Sequence, residues 1–87
     1  MLEDLPNLGP TSAGWLRDVG IETSEDLERL GSVQAFLLVD ASREGVSLNL
    51  LWALEGALRD EHWARLDPAT RARLRTEVER PDHSVAP

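Results

Sequence analysis

The 87-residue sequence predicts an all-α fold, a compact domain of five short helices around a single core. Three observations carry that expectation. Apolar residues recur at three- and four-residue spacing, no interval shows the strict alternation of a half-buried strand, and Gly, Pro, Ser, Thr and Asp punctuate the chain at helix-length intervals.

The first helix runs from about Pro10 to Val19, after the tight loop Leu5-Pro-Asn-Leu-Gly-Pro10. Asn7 and Gly9 both tolerate positive φ, Pro10 suits the first helical position, and Gly20 suits the residue just past the end. Ser12, Trp15, Leu16 and Val19 share one stripe, which places Trp15 in the core. Thr23 with Asp26 three residues on has the form of a capping box, opening a second helix that carries Leu27 and Leu30 and stops at Gly31. Ser32 is the expected cap of a third helix, about Val33 to Ser42, whose run Ala35-Phe-Leu-Leu-Val39 is apolar on most sides; a strand is the alternative there. Ser47 caps the longest helix, about Leu48 to His62, with Leu50, Leu51, Leu54, Ala57 and Leu58 on one stripe and Trp52 nearly opposite. Gly56 within it costs helix stability unless another group approaches closely. Asp67-Pro68 opens a fifth helix to about Arg80, with a thin apolar face of Leu74 and Val78. Residues 1–80 are thus expected to form the single domain and 81–87 a flexible tail.

Composition bounds function. Sixteen acidic residues against nine Arg give a net charge of −7. Residues 1–62 carry −8 and residues 63–87 carry +1, so nucleic acid is repelled from most of the chain and only the C-terminal helix is locally basic. Absence of Cys excludes disulfides and thiolate metal sites. Neither a membrane span nor a secretory leader is visible, which makes the cytoplasm the expected location. No metal site and no cofactor are expected.

Two kinds of site are candidates. Amides near Leu8 and Gly9, with the hydroxyls of Thr11 and Ser12 and Arg17 a turn further on, form a potential phosphate cradle at a helix start; Arg71 and Arg75 offer a second phosphate contact. Local pairing of these Arg with Glu77 or Glu79 is the plainer reading. Trp52 and Trp63 point away from the Leu stripe and are candidate contacts for a protein partner, since Trp anchors are enriched at interfaces. Burial of both within the monomer is the plainer reading there. No catalytic residues are nominated: His62 and His83 are far apart, adjacent Asp60-Glu61-His62 face different sides of a helix, and no nucleophile elbow or phosphate-loop motif occurs. The chain is therefore expected not to be an enzyme.

The order Leu5-Pro-Asn-Leu-Gly-Pro10, Trp15-Leu16, Val19-Gly20-Ile21, Thr23, Asp26-Leu27, Leu30-Gly31, then Val46-Ser-Leu-Asn-Leu-Leu-Trp-Ala-Leu-Glu-Gly-Ala-Leu58 and His62-Trp63 resembles the C-terminal domain of the TfoX/Sxy competence-regulator family. The resemblance implies a bacterial, all-helical domain with a helix-hairpin-helix-like opening loop and a link to transcriptional regulation of natural competence. It implies a protein partner, such as a transcription factor or a separate N-terminal domain. The alternative function is a DNA-contacting hairpin domain that holds phosphate through its loop amides. DNA-binding hairpins usually have Gly where Asn7 stands and often a basic residue where Thr11 and Ser12 stand. The expectation is a non-enzymatic regulatory or protein-interaction module.

Overall fold

Helix boundaries follow the capping signals. The computed structural model describes residues 2–79, which form a 3-10 turn at Leu2–Asp4, α1 at Pro10–Asp18, α2 at Ser24–Ser42, α3 at Leu48–Leu58, a second 3-10 turn at Trp63–Arg65, and α4 at Pro68–Glu79. The residues expected to form a tail, 81–87, lie outside the described part. Among the described residues there is no strand, and no helix is long and apolar enough to cross a membrane.

Four α-helices stand where five were expected. The two segments expected to meet at Gly31 form one element, α2, which kinks there: Gly31 takes φ 82° and ψ 166° while its neighbours remain helical. That conformation is open essentially to glycine alone. Ser32 does not act as the expected side-chain cap: its buried hydroxyl instead donates to Oε1 of Glu55 on α3 at 2.6 Å. The run from Ala35 to Val39 is helical, not a strand.

α3 ends at Leu58, about a turn before the expected boundary at His62. Asp60 takes φ 56°, the Asp60 N–H donates to the Ala57 carbonyl at 3.2 Å, and the Glu61 N–H donates to the Gly56 carbonyl at 2.9 Å. This paired closure satisfies two carbonyls of the last turn and turns the chain away. α1 ends the same way, through Gly20 and Ile21. At the other ends, Thr23 and Asp26 close a reciprocal capping box on α2, Ser47 accepts from the Asn49 N–H at 3.3 Å, and Asp67 accepts from the Thr70 N–H at 2.7 Å.

The core lies chiefly between α2 and α3, with α1 and α4 packed beside them. Leu2, Leu16, Ile21, Leu27, Val39, Leu51 and Leu54 are fully enclosed, each worth about 1.5–3 kcal/mol of burial. Trp15 is half-buried at the edge rather than central: Ala13 and Leu16 take the inward face of α1, and the Arg43 guanidinium covers the Trp15 ring at 4.8 Å. α4 has only Leu74 fully in the core, as its thin apolar face leads one to expect.

Candidate functional site

The opening loop is held by its own leucines. Leu2 and Leu8 are buried, the Leu5 N–H donates to the Leu2 carbonyl at 3.0 Å, and the Leu8 N–H donates to the Leu5 carbonyl at 3.4 Å. Asn7 takes φ 71°, a left-handed conformation that Asn tolerates better than most residues. Its side chain reaches across the fold to the α3–α4 connection. Nδ2 donates to the Glu61 carbonyl at 2.9 Å, and Oδ1 accepts from the Trp63 N–H at 3.2 Å. One amide thus pairs with both an acceptor and a donor of that connection.

Gly56 makes that approach possible. A Cβ at this position would lie 2.5 Å from Asn7 Nδ2, 2.8 Å from the Glu61 carbonyl oxygen and 3.2 Å from Trp63 Cα. The close neighbour that a mid-helix glycine suggests is therefore the junction of residues 7, 61 and 63.

Above this junction Trp63 is 40% exposed, while Trp52 is half-buried. Arg71 lies between them, its guanidinium 5.4 Å from the Trp63 ring centre and 5.8 Å from that of Trp52. Its Nη2 also donates to the Trp63 carbonyl at 3.0 Å, and its Nε is enclosed without a hydrogen-bond partner. The π faces offset the cost of leaving that N–H unpaired. His62 stacks beside Trp63 at 5.7 Å and 29°, and its Nδ1 accepts from the Ala64 N–H. Trp63 is fixed by Asn7 and Arg71 through its backbone and by Arg71 and His62 through its ring.

Trp63 borders a groove of about 380 Å³ whose other walls include Asn7, Ser12, Trp15, Val46 and Asn49. Among the described residues no charged side chain lines it, although the chain carries 25 charged residues. Arg71 and Arg75 border a separate depression of about 530 Å³ with Trp52 and Glu79.

The residues nominated for phosphate are dispersed. Leu8 is in the core; Gly9 is exposed, extended at φ −98° and ψ −174° rather than left-handed, and starts α1 with no side-chain cap. Thr11 is exposed, Ser12 faces the groove beside Asn7, and Arg17 lies in the last turn of α1, at the far end from Gly9. Arg75 pairs with Glu79 at 3.1 Å. Exposed Asp4, Asp18 and Glu22 surround the loop in sequence. Sequence reasoning nominated neither Asn7 as a long-range bridge nor Arg71 as a filling between two Trp rings. Gly56 was the only signal for the first, and a lone Arg on a helix gives none for the second.

Three comparisons bear on identity. The model of the TfoX C-terminal domain family matches residues 1–78. The crystal structure of an uncharacterized protein from Listeria monocytogenes, in a triclinic form, superposes with a TM-score of 0.85 at 35% identity, covering 90% of this chain and 89% of that one. A tetragonal form of a Listeria monocytogenes protein of unknown function gives 0.82 at 35% identity, covering 85% of this chain and 91% of that one. No curated protein matches significantly.

Proposed function

The chain belongs to the TfoX C-terminal domain family, and from that premise we propose that it is a non-enzymatic regulatory domain, linked to transcriptional control of natural competence, that acts by binding a protein partner in the cytoplasm. The observation that supports this reading is the mounting of Trp63. Trp63 is 40% exposed, its backbone is held by Asn7 and Arg71, and its ring, set between Arg71 and His62, has already lost much of its rotamer freedom. Such an anchor costs little further entropy when a partner covers it. The uncharged groove beside it suits a protein surface better than a phosphate backbone. In this reading the hairpin-like loop serves to seat Trp63, and the partner is a transcription factor or a separate N-terminal domain.

DNA contact is the weaker reading, because Arg71 is engaged by two rings and a carbonyl and Arg75 by Glu79. Trp63→Ala tests the proposal in a competence-promoter reporter strain. The hydrogen bonds at residue 63 are made by its backbone and do not need the indole, so the variant is expected to fold. Loss of reporter activation by a variant with a native circular-dichroism melt is the expected result. Full activation by the variant would overturn the assignment of Trp63 as the anchor.

A further inference from the structure

The groove beside Trp63 is bordered by two indoles, Trp15 from α1 and Trp63 from the second 3-10 turn. Each ring carries a guanidinium, Arg43 at 4.8 Å from the Trp15 centre and Arg71 at 5.4 Å from the Trp63 centre, yet neither Arg lines the groove. The cations therefore hold the rings without placing charge where a ligand would lie.

The polar groups of the groove divide into spent and open ones. The Asn7 amide is used at both ends, by Glu61 and Trp63. The Ser12 hydroxyl and the Asn49 side-chain amide also line the groove, and neither has a hydrogen-bond partner among the described residues. Ser12 is half-buried, and Asn49 is exposed at the second position of α3. Each can donate to a carbonyl.

These open donors discriminate among neutral ligands. A helix spends its carbonyls on its own N–H groups, so its backbone has little to offer them. A sugar brings several hydroxyls, each needing partners of its own, and two open side chains cannot satisfy them all. A polyproline II segment has no internal hydrogen bonds, so its carbonyls are free, and its prolines bring no N–H in need of an acceptor. Its rings are apolar surfaces suited to aromatic walls.

We propose that the groove binds an uncharged, proline-containing segment of the protein partner in the polyproline II conformation. Prolines pack on Trp15 and Trp63, and backbone carbonyls accept from Asn49 Nδ2 and Ser12 Oγ. This inference rests on the reading of Trp63 as a partner anchor and supplies the chemistry of the partner. A volume of about 380 Å³ is near the low end of the range for binding clefts, about 300–1,000 Å³, and suits a few residues of extended chain.

The test titrates the isotope-labelled full chain with an acetylated, amidated peptide of Pro-Pro-Ser repeats, about nine residues long, against an Ala-Ala-Ser control. The Pro peptide is expected to shift the indole resonances of Trp15 and Trp63 and the side-chain amide of Asn49, to leave the Trp52 indole unmoved, and to bind equally at low and high salt. Its dissociation constant should rise about tenfold in Trp63→Ala and about fivefold in Asn49→Ala. The Asn49 side chain is exposed and bonds nothing described, so Asn49→Ala keeps the fold and tests the groove independently of Trp63. Equal affinity for the control, shifts confined to Trp52 and α4, or no shifts at millimolar peptide would overturn the proposal. Shifts of the same indoles by a neutral trisaccharide and not by the peptide would overturn it in favour of a sugar site. Should the peptide leave the spectrum unchanged while Trp63→Ala abolishes reporter activation, the anchor reading stands and this inference alone falls.

Discussion

Replacing Gly56 by Ala sets two effects of opposite sign against each other. In an open helix interior, Gly→Ala stabilises by about 1 kcal/mol through backbone entropy. At this position the new methyl would sit 2.8 Å from the Glu61 carbonyl oxygen and 3.2 Å from Trp63 Cα, both backbone atoms, and 2.5 Å from Asn7 Nδ2. The Asn7 amide cannot simply swing aside, because its two ends are bonded to Glu61 and Trp63. Overpacking of this kind costs about 1–3 kcal/mol, and displacing the amide leaves a donor and an acceptor short of partners at about 1–3 kcal/mol more. The strain therefore outweighs the propensity gain, and the net loss is about 1–5 kcal/mol. For a domain of this size that lowers the thermal midpoint by roughly 4–8 °C per kcal/mol. Circular-dichroism melts and urea titrations of the wild type, Gly56→Ala, Asn7→Ala and the double variant measure it. The double variant should lose less than the sum of the singles, since removing the Asn7 amide removes one of the clashes. A Gly56→Ala midpoint equal to or above that of the wild type would refute the account of this junction.

Other consequences follow from the same contacts. Burial pushes the Glu55 carboxyl up, but the Ser32 hydroxyl, the Arg59 hydrogen bond and the Arg59 charge together outweigh it and hold the group below the ordinary glutamate value of 4.5. A carboxylate depressed on folding contributes stability above its unfolded value, and that contribution is lost as pH falls through the folded value. Urea midpoints should therefore fall below about pH 4.5, and Glu55→Gln should lower the neutral-pH midpoint while flattening that acid limb; an unchanged limb contradicts the assignment. Arg71→Ala should cost about 1–2 kcal/mol and red-shift the Trp emission. Arg71→Lys should recover less than half of that loss, because an ammonium lacks the planar fork that spans the two rings and the carbonyl; full recovery by Lys would show that charge alone matters.

Helix starts were legible because each depends on a few adjacent residues: Thr23 with Asp26, Ser47, and Asp67 before Pro68 all cap the helices they announce. Helix ends and counts were less so. Gly31 marks a break in direction, but the partner of Ser32 is Glu55, a residue 23 positions away that local sequence could not supply. Asp60 in a left-handed conformation ends α3 where the apolar stripe continues through Leu58 and polar residues follow, so periodicity had little to say. The site was the least legible part. Asn7 and Gly9 were both read for backbone conformation, and only Asn7 takes positive φ; its side-chain bridge to Glu61 and Trp63 is a product of the tertiary fold. Arg71 was read by its charge alone, and its contact with Trp52 and Trp63 requires α3, the second 3-10 turn and α4 to converge.

The central claim is that regulation by this domain runs through protein contact and not through its own grip on DNA. Fluorescence anisotropy of a labelled competence-promoter duplex, titrated with the protein at low and then moderate salt, tests it most directly. The account predicts no saturable binding even at low salt, because Arg71 and Arg75 are engaged within the fold and the chain carries a net charge of −7. Tight binding that falls steeply with salt and disappears in the Arg71→Ala, Arg75→Ala double variant would contradict it.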